Sequence, residues 1–157
     1  MGKITRNLIE YDGIDICPYE NISTFKQFNS DYKFYVPNDK ADIEQIIKVK
    51  TKASIENHKI VKTPIGTSLE GQKVTGHKLL VSGDISLKFE YVADDPAQSI
   101  YSVTKVFPFC DYVVLPEDFN PATMIFPSVS IEDIYSEKLD SRCVYNNVTL
   151  IIVVEVY

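Results

Sequence analysis

Two glycines carry the spacing that comes closest to a nucleotide-binding loop. Gly66 and Gly71 match the motif G-x-x-x-x-G-K followed by Ser or Thr, in which backbone amides cradle phosphate while the lysine and the hydroxyl reach the terminal phosphate and magnesium. Here Gln72 displaces Lys73, and Val74 stands where the hydroxyl is needed. The motif should also open a helix, whereas these residues open a strand-like run. The sequence therefore favours a β-connection shaped by glycines over a phosphate site.

The other residue types that support catalysis or metal binding lack the necessary partners. His58 and His77 each stand at a polar strand end without Cys, Asp or His at ligand spacing, which favours solvated histidines. Ser82 lacks the G-x-S-x-G elbow of a nucleophilic serine. The acidic pairs at 117–118 and 132–133 are typical of solvated loops. The sequence predicts no catalytic, metal or cofactor site, and this favours a structural or binding role.

Aromatic side chains offer a different kind of candidate site. The chain has ten tyrosines and eight phenylalanines but no tryptophan, on which sugar platforms usually depend. Core packing and subunit contacts account for most of them. The candidate surface contacts for a sugar ligand lie in the proline-rich region 108–128: Phe109, Tyr112, Phe119 and Phe126.

The three cysteines are Cys17, Cys110 and Cys143, with no C-x-x-C and no two close in sequence. An odd count leaves at least one thiol unpaired within the chain, and the spacing argues against zinc. Two readings stay open. The cysteines are reduced and partly buried, as free cysteine usually is, or they form disulfides between subunits.

Composition and charge narrow the range of partners. The 157 residues are 45% hydrophobic and 24% charged, which suits one folded domain. With 22 acidic against 16 basic residues the net charge is -6, which opposes binding to nucleic acid and to anionic membranes. No apolar run approaches the roughly 18–20 residues of a membrane span, and the start lacks the apolar stretch of a signal peptide. We expect synthesis in the cytosol.

Alternation with a period of two residues is the dominant structural signal. It marks strands at 48–56 and, most clearly, at 81–91, where Val81 to Tyr91 place one residue in two on an apolar face. A turn at 94–96 leads into another extended run at 100–107, so the two runs predict a long hairpin. Residues 148–157 are apolar on both faces, which is typical of a central strand.

Further patterns complete the predicted fold. Prolines limit 111–115 to a short strand and make 117–126 mainly loop, before another strand at 128–134. Short helical turns are expected at 39–47 and 23–28. The prediction is an all-β protein, an antiparallel sandwich or flattened barrel with one or two short helical turns. Residues 1–24 form an arm or an added strand, and residues 25–157 form the single domain.

The stretch E-G-Q-x-x-T-G-x-K-L at 70–79 is the most specific run of the sequence. Further ordered pieces lie at 36–37, 41–46, 60–72, 75–83, 89–93, 107–109 and 129–142. Together these pieces resemble the SPOCS domain of spore-coat and spore-morphogenesis proteins from endospore-forming anaerobes, and the resemblance extends over about residues 30–157.

The resemblance implies a non-enzymatic structural subunit of the spore coat or exosporium. Such a subunit binds itself, as a homo-oligomer, fibre or lattice, or binds other coat proteins. It would be made in the mother-cell cytoplasm and deposited on the spore surface. Relatives often carry several domain copies or a peptidoglycan-holding LysM module, and neither is present here, which favours a small polymerising or decorating subunit. The alternative is a module that binds peptidoglycan or another glycan.

Two hypotheses about assembly follow. The segment with Gly13, Ile14 and Ile16 is a candidate assembly arm that adds as a strand to a neighbouring subunit's sheet. Cys17, Cys110 and Cys143 are candidate intersubunit disulfide partners, which would lock a shell once the mother cell lyses and its surroundings turn oxidising.

Overall fold

Eight β-strands in two sheets make up the computed structural model, which describes residues 2–15 and 22–156. The strands are β1 (Gly2–Arg6), β2 (Ile9–Ile14), β3 (Thr24–Tyr35), β4 (Ile43–Thr67), β5 (Lys73–Ala93), β6 (Ile100–Val114), β7 (Ile125–Lys138) and β8 (Cys143–Val156). The described residues include no helix, and therefore none that is long and apolar enough to cross a membrane. The predicted all-β sandwich is confirmed.

The two sheets have the strand orders β1-β2-β4-β5-β6 and β3-β8-β7. All neighbouring strands are antiparallel except β2 and β4, which are parallel. The predicted hairpin of 81–91 with 100–107 is confirmed as β5 and β6. Every second residue of β5 from Leu79 to Tyr91 is buried, so the alternation in the sequence defines the face that packs on the smaller sheet.

Strand β8 is central in the smaller sheet, as its apolar character predicted. It lies between β3 and β7. Leu150 and Ile152 face the core between the sheets, while Val153 points to the opposite face and is buried there as well. Strand β8 therefore has buried apolar residues on both of its faces.

The predicted helical turns at 23–28 and 39–47 are wrong. Residues from Thr24 onward pair with β8, and residues from Ile43 onward pair with β5. Ile43 and Ile46 are both buried, at a spacing of three that imitates a helix. The register of β4 against β5 shifts between Ile43 and Gln45 and between Ile46 and Lys48. Such irregularities change which residues face the core, so a strand acquires a helix-like spacing.

Proline does not break β6 or β7 as the sequence suggested. Pro108 lies within β6, opposite Asp84, and Pro127 lies within β7, opposite Val154. Both strands are at the edges of their sheets, where a missing N–H need not remove a ladder hydrogen bond. The strands predicted at 111–115 and 128–134 are therefore parts of longer ones.

The N-terminal strands lie within the sandwich. β2 pairs with β4 through Glu10 opposite Lys48, and Tyr11 is buried. The Tyr11 hydroxyl donates to the Ser136 carbonyl at 3.1 Å and accepts from the Ser136 N–H at 2.9 Å. Ser136 donates in turn from Oγ to Asn146 Oδ1 at 2.6 Å, and Asn146 Nδ2 donates to the Tyr32 carbonyl at 3.2 Å. This network joins the two sheets.

Replacing Gly83 tests the packing at the centre of β5. A Cβ on Gly83 would overlap the Ser54 carbonyl oxygen and approach Phe109 Cζ to 2.9 Å. We expect Gly83→Ala to lower the free energy of unfolding by about 1–3 kcal/mol, as overpacking usually does. In the control Gly66→Ala the new Cβ has nothing within 4 Å, so the change should stay within about 0.5 kcal/mol. Urea titration of both variants measures the difference, and equal stabilities would contradict this packing.

Three buried or partly buried tyrosines predict alkaline unfolding. Burial is the main cause that raises the pKa of Tyr11, Tyr32 and Tyr91 above the usual value of 10.0. The unfolded chain then ionises these phenols first, so their contribution to stability is intact below about pH 10 and is lost as pH rises through the higher folded values. Ultraviolet absorbance of tyrosinate and circular dichroism should show part of the ionisation coinciding with unfolding. Complete ionisation near pH 10 with the fold retained would contradict the prediction.

Candidate interaction surfaces

The hairpin of β4 and β5 extends beyond the rest of its sheet. β6 pairs with β5 only as far as Lys78, opposite Val114, whereas β4 and β5 continue to pair as far as Thr67 and Lys73. We call residues 61–78 the arm. It projects because no third strand accompanies its outer part on the β6 side.

The turn of the arm contains the glycine-rich stretch. The Ser68 N–H donates to the Gln72 carbonyl at 2.8 Å, and the Gly71 N–H donates to the Ser68 carbonyl at 2.9 Å. The Gln72 N–H donates to Ser68 Oγ at 3.2 Å, and Gly71 has a φ of 86°. These amides are used within the turn. They are therefore not free to cradle a phosphate, in agreement with the sequence-based interpretation.

The tip of the arm exposes two large apolar side chains. Ile65 is 84% exposed and Leu69 is fully exposed. The base of the arm, in contrast, is held by the chain that follows β6. The Leu115 N–H donates to the His77 carbonyl at 3.1 Å, and the His77 ring meets the edge of Phe119 with centroids 5.5 Å apart. The arm thus has a fixed base and an apolar tip.

Tyr112 joins the arm to the body. Its hydroxyl donates to Gln72 Oε1 at 3.0 Å, so the turn of the arm leans toward β6. Lys26 Nζ lies 3.6 Å from the centroid of the Tyr112 ring and 3.1 Å from the Asp111 carboxylate. Lys78 Nζ lies 5.0 Å from the same ring. Cation–π contacts and hydrogen bonding therefore engage both the ring and the hydroxyl of Tyr112.

The candidate aromatic contacts do not share one surface. Phe109 is buried in the core, with its ring 5.8 Å from that of Phe28, and Phe119 is buried in the same core against His77. Phe126 is 46% exposed but belongs to β7 in the other sheet. A surface contact therefore fits neither Phe109 nor Phe119. The prolines of 108–128 suggested an exposed region, whereas β6 turns Phe109 toward the core.

The candidate cysteines lie apart. Cys110 is exposed on β6, whereas Cys143 is 2% exposed on β8, and both are free. Cys17 lies outside the described residues. Burial makes Cys143 unsuitable for a bond to another subunit as long as the fold is intact, which leaves Cys110 as the accessible thiol of the described pair.

The N-terminal segment with Gly13 and Ile14, which the sequence suggested could add as a strand to a neighbouring subunit, is bound within its own chain. Ile14 is buried in the core, and a Cβ on Gly13, whose φ is 107°, would overlap the Thr51 carbonyl oxygen. The next residue, Asp15, donates its N–H to the Ile131 carbonyl at 2.8 Å. Ile16 is outside the described residues. Adding Gly13 and Ile14 to a neighbour's sheet would therefore require their removal from this one.

Three loops meet at the end of the sandwich opposite the arm, and Arg142 joins two of them. Its guanidinium donates to the Asp42 carboxylate at 2.7 Å and to the carbonyls of Val36, Pro37 and Lys40 at 3.1, 2.7 and 3.2 Å. The third loop is attached by the Asp94 N–H, which donates to the Asp42 carbonyl at 2.9 Å.

We call residues 36–44, 94–99 and 137–142 the acidic end. These residues include seven acidic and three basic side chains, which give a net charge of -4. The acidic residues are Asp39, Asp42, Glu44, Asp94, Asp95, Glu137 and Asp140, and the basic residues are Lys40, Lys138 and Arg142. Apolar surface is present as well, because the side chains of Tyr35, Ile100 and Leu139 at this end are exposed. Sequence inspection missed this surface because its three segments are far apart in the chain.

The described residues show no group of three His, Cys, Asp or Glu side chains that could hold a metal ion. One surface depression of about 500 Å³ is lined by Glu56, Ser82, Gly83, Asp84, Pro108, Phe109 and Cys110. The features that distinguish this β-sandwich are accordingly its projecting arm and its acidic end.

Comparison with protein families matches residues 42–139 to the family described as SipL, SPOCS domain. The match covers more than half of the chain, and the chain belongs to this family. It includes the whole of β5 and β6, so the arm lies inside the family-defining segment. No curated protein and no solved structure matches the chain.

Exposure predicts which thiol reacts. In a Cys17→Ser background we expect Cys110 to react rapidly with a thiol reagent in the native protein, and Cys143 to react only after unfolding, because it is buried. In this background any disulfide-linked dimer on a non-reducing gel should disappear with Cys110→Ser and persist with Cys143→Ser. Loss of the dimer in the Cys143→Ser variant alone would contradict the assignment.

Proposed function

We propose that this chain is a non-enzymatic structural subunit of the spore surface, in the coat or exosporium, that assembles with itself and with other coat proteins. Family membership indicates a sporulation-related role. The observation that carries the proposal is the arm, because it projects from the sandwich inside the segment that defines the family.

The apolar tip of the arm supports a role in contact with protein. Burying a large aliphatic side chain is worth about 1.5–3 kcal/mol relative to leaving it in water. Ile65 and Leu69 forgo this stabilisation in the isolated chain, since both are exposed. A partner that covers the tip recovers it. Apolar surface surrounded by charge is typical of protein interfaces.

The alternative function, binding of peptidoglycan or another glycan, has less support. Sugar sites usually present aromatic faces on one accessible surface. Here Phe109 faces the core and Phe126 lies on the other sheet, while the Tyr112 ring is covered by a lysine. The aromatic candidates thus provide no shared platform, and contact with protein is the stronger proposal.

Deposition on the spore is tested by immunogold labelling of sporulating cells and released spores. We expect label in the coat or exosporium, since an assembly subunit stays where its partners are. Label confined to the mother-cell cytoplasm, or absent from released spores, would overturn the proposal. Co-sedimentation of the purified protein with isolated peptidoglycan provides the comparison. Binding well above that of an unrelated acidic β-protein would favour the glycan alternative.

A further inference from the structure

We propose that the arm of one chain docks on the acidic end of a second copy, so that chains join head to tail. The inference rests on the proposed function and names one of its partners, the chain itself. It assigns a role to two surfaces at opposite ends of the same strand.

The two surfaces have opposite charge. The arm carries Lys62, Lys73 and Lys78 against Glu70, a net charge of +2. The remaining 13 basic and 21 acidic residues give the rest of the chain a net charge of -8, of which the acidic end contributes -4. A basic projection on an acidic protein is therefore attracted to other copies of the same protein.

Both surfaces have charges that form no ion pair within the described part of the chain. On the arm these are Lys62 and Lys73, which are exposed, and Lys78, which lies near the Tyr112 ring. The same holds at the acidic end for Asp39 and Asp94, which are exposed. Asp42 is paired with Arg142, and this pair holds the loops that present the other carboxylates.

Each surface combines its charges with exposed apolar side chains. Ile65 and Leu69 form the tip of the arm, and Ile100 and Leu139 are exposed at the acidic end with Tyr35. An apolar centre with a charged rim is the usual composition of a protein interface. Docking would cover the apolar groups of both partners and pair their charges.

Geometry places this contact between chains. β5 runs from the arm at Lys78 to the acidic end at Ala93, about 50 Å at the rise of an extended strand. The arm is also held beside β6 through Gln72 and Tyr112, so it does not reach the acidic end of its own chain. Because the two surfaces differ, the interface is heterologous. Repetition gives an open filament unless the rotation between copies closes a ring.

Charge reversal tests the docking. An arm variant carries Lys62→Glu and Lys73→Glu, and an end variant carries Asp39→Lys and Asp94→Lys. We expect each variant alone to associate about tenfold more weakly than the native protein or worse, because the arm variant brings two negative surfaces together and the end variant leaves no net charge at its end to attract the arm. Mixing the two variants should restore association, since the unchanged arm of the end variant then meets the unchanged acidic end of the arm variant. Sedimentation velocity at low and high salt measures both effects, and salt should weaken native assembly.

A matched control separates docking from net charge. The control Lys52→Glu with Lys88→Glu makes the same change in net charge as the arm variant. It does so at two exposed lysines on the face of the larger sheet, and it should leave association unchanged. Circular dichroism confirms that all variants fold. Arm variants that assemble normally, or variants that the mixture does not rescue, would overturn the docking.

The outcomes also separate this inference from the proposed function. A native protein that stays monomeric at every concentration, yet is deposited on spores, overturns head-to-tail docking and leaves the structural role intact, with the arm engaged by a different coat protein. Assembly that the charge variants abolish and their mixture restores, without label on spores, supports the docking and overturns the proposed location.

Discussion

The antiparallel ladder between β4 and β5 is the interaction on which the rest of the structure depends. It extends from Ile43 opposite Ala93 to Thr67 opposite Lys73. One part of it presents the alternating apolar face that builds the core, and the other part extends past β6 as the arm. A single pair of strands therefore fixes the positions of both the core and the candidate docking surface. Its register shifts adapt a long ladder to both tasks, since such irregularities bend and twist strands.

Polar contacts determine how the rest of the chain fits around this ladder. The buried network of Tyr11, Ser136 and Asn146 is satisfied across the two sheets, and buried polar groups that are all satisfied favour one arrangement over its alternatives. Arg142 does comparable work at the acidic end, where its guanidinium bonds to one carboxylate and three carbonyls. These bonds hold in place two of the three loops that carry the acidic groups. Stability and the candidate function thus share residues at this end.

Much of the fold was predictable from the sequence because it depends on local periodicity. The alternation from Val81 to Tyr91 and the doubly apolar character of β8 indicated their positions correctly. The errors came from features that periodicity does not register. Irregular pairing gave Ile43 and Ile46 a helical spacing, and Pro108 lies within an edge strand, which it does not interrupt. The arm and the acidic end were missed for another reason. The arm exists because β6 ends at Val114, and the acidic end exists because distant loops meet, so both depend on tertiary structure.

Amide hydrogen exchange as a function of protein concentration tests most directly the claim that this chain works through its two end surfaces. Docking should slow exchange at the tip of the arm and in the loops of the acidic end as concentration rises, while the core amides of β5 and β8 stay unchanged. The exchange pattern of the dilute protein provides the reference. Protection that is independent of concentration at both ends, or that increases on the outer faces of the sheets instead, would contradict the account.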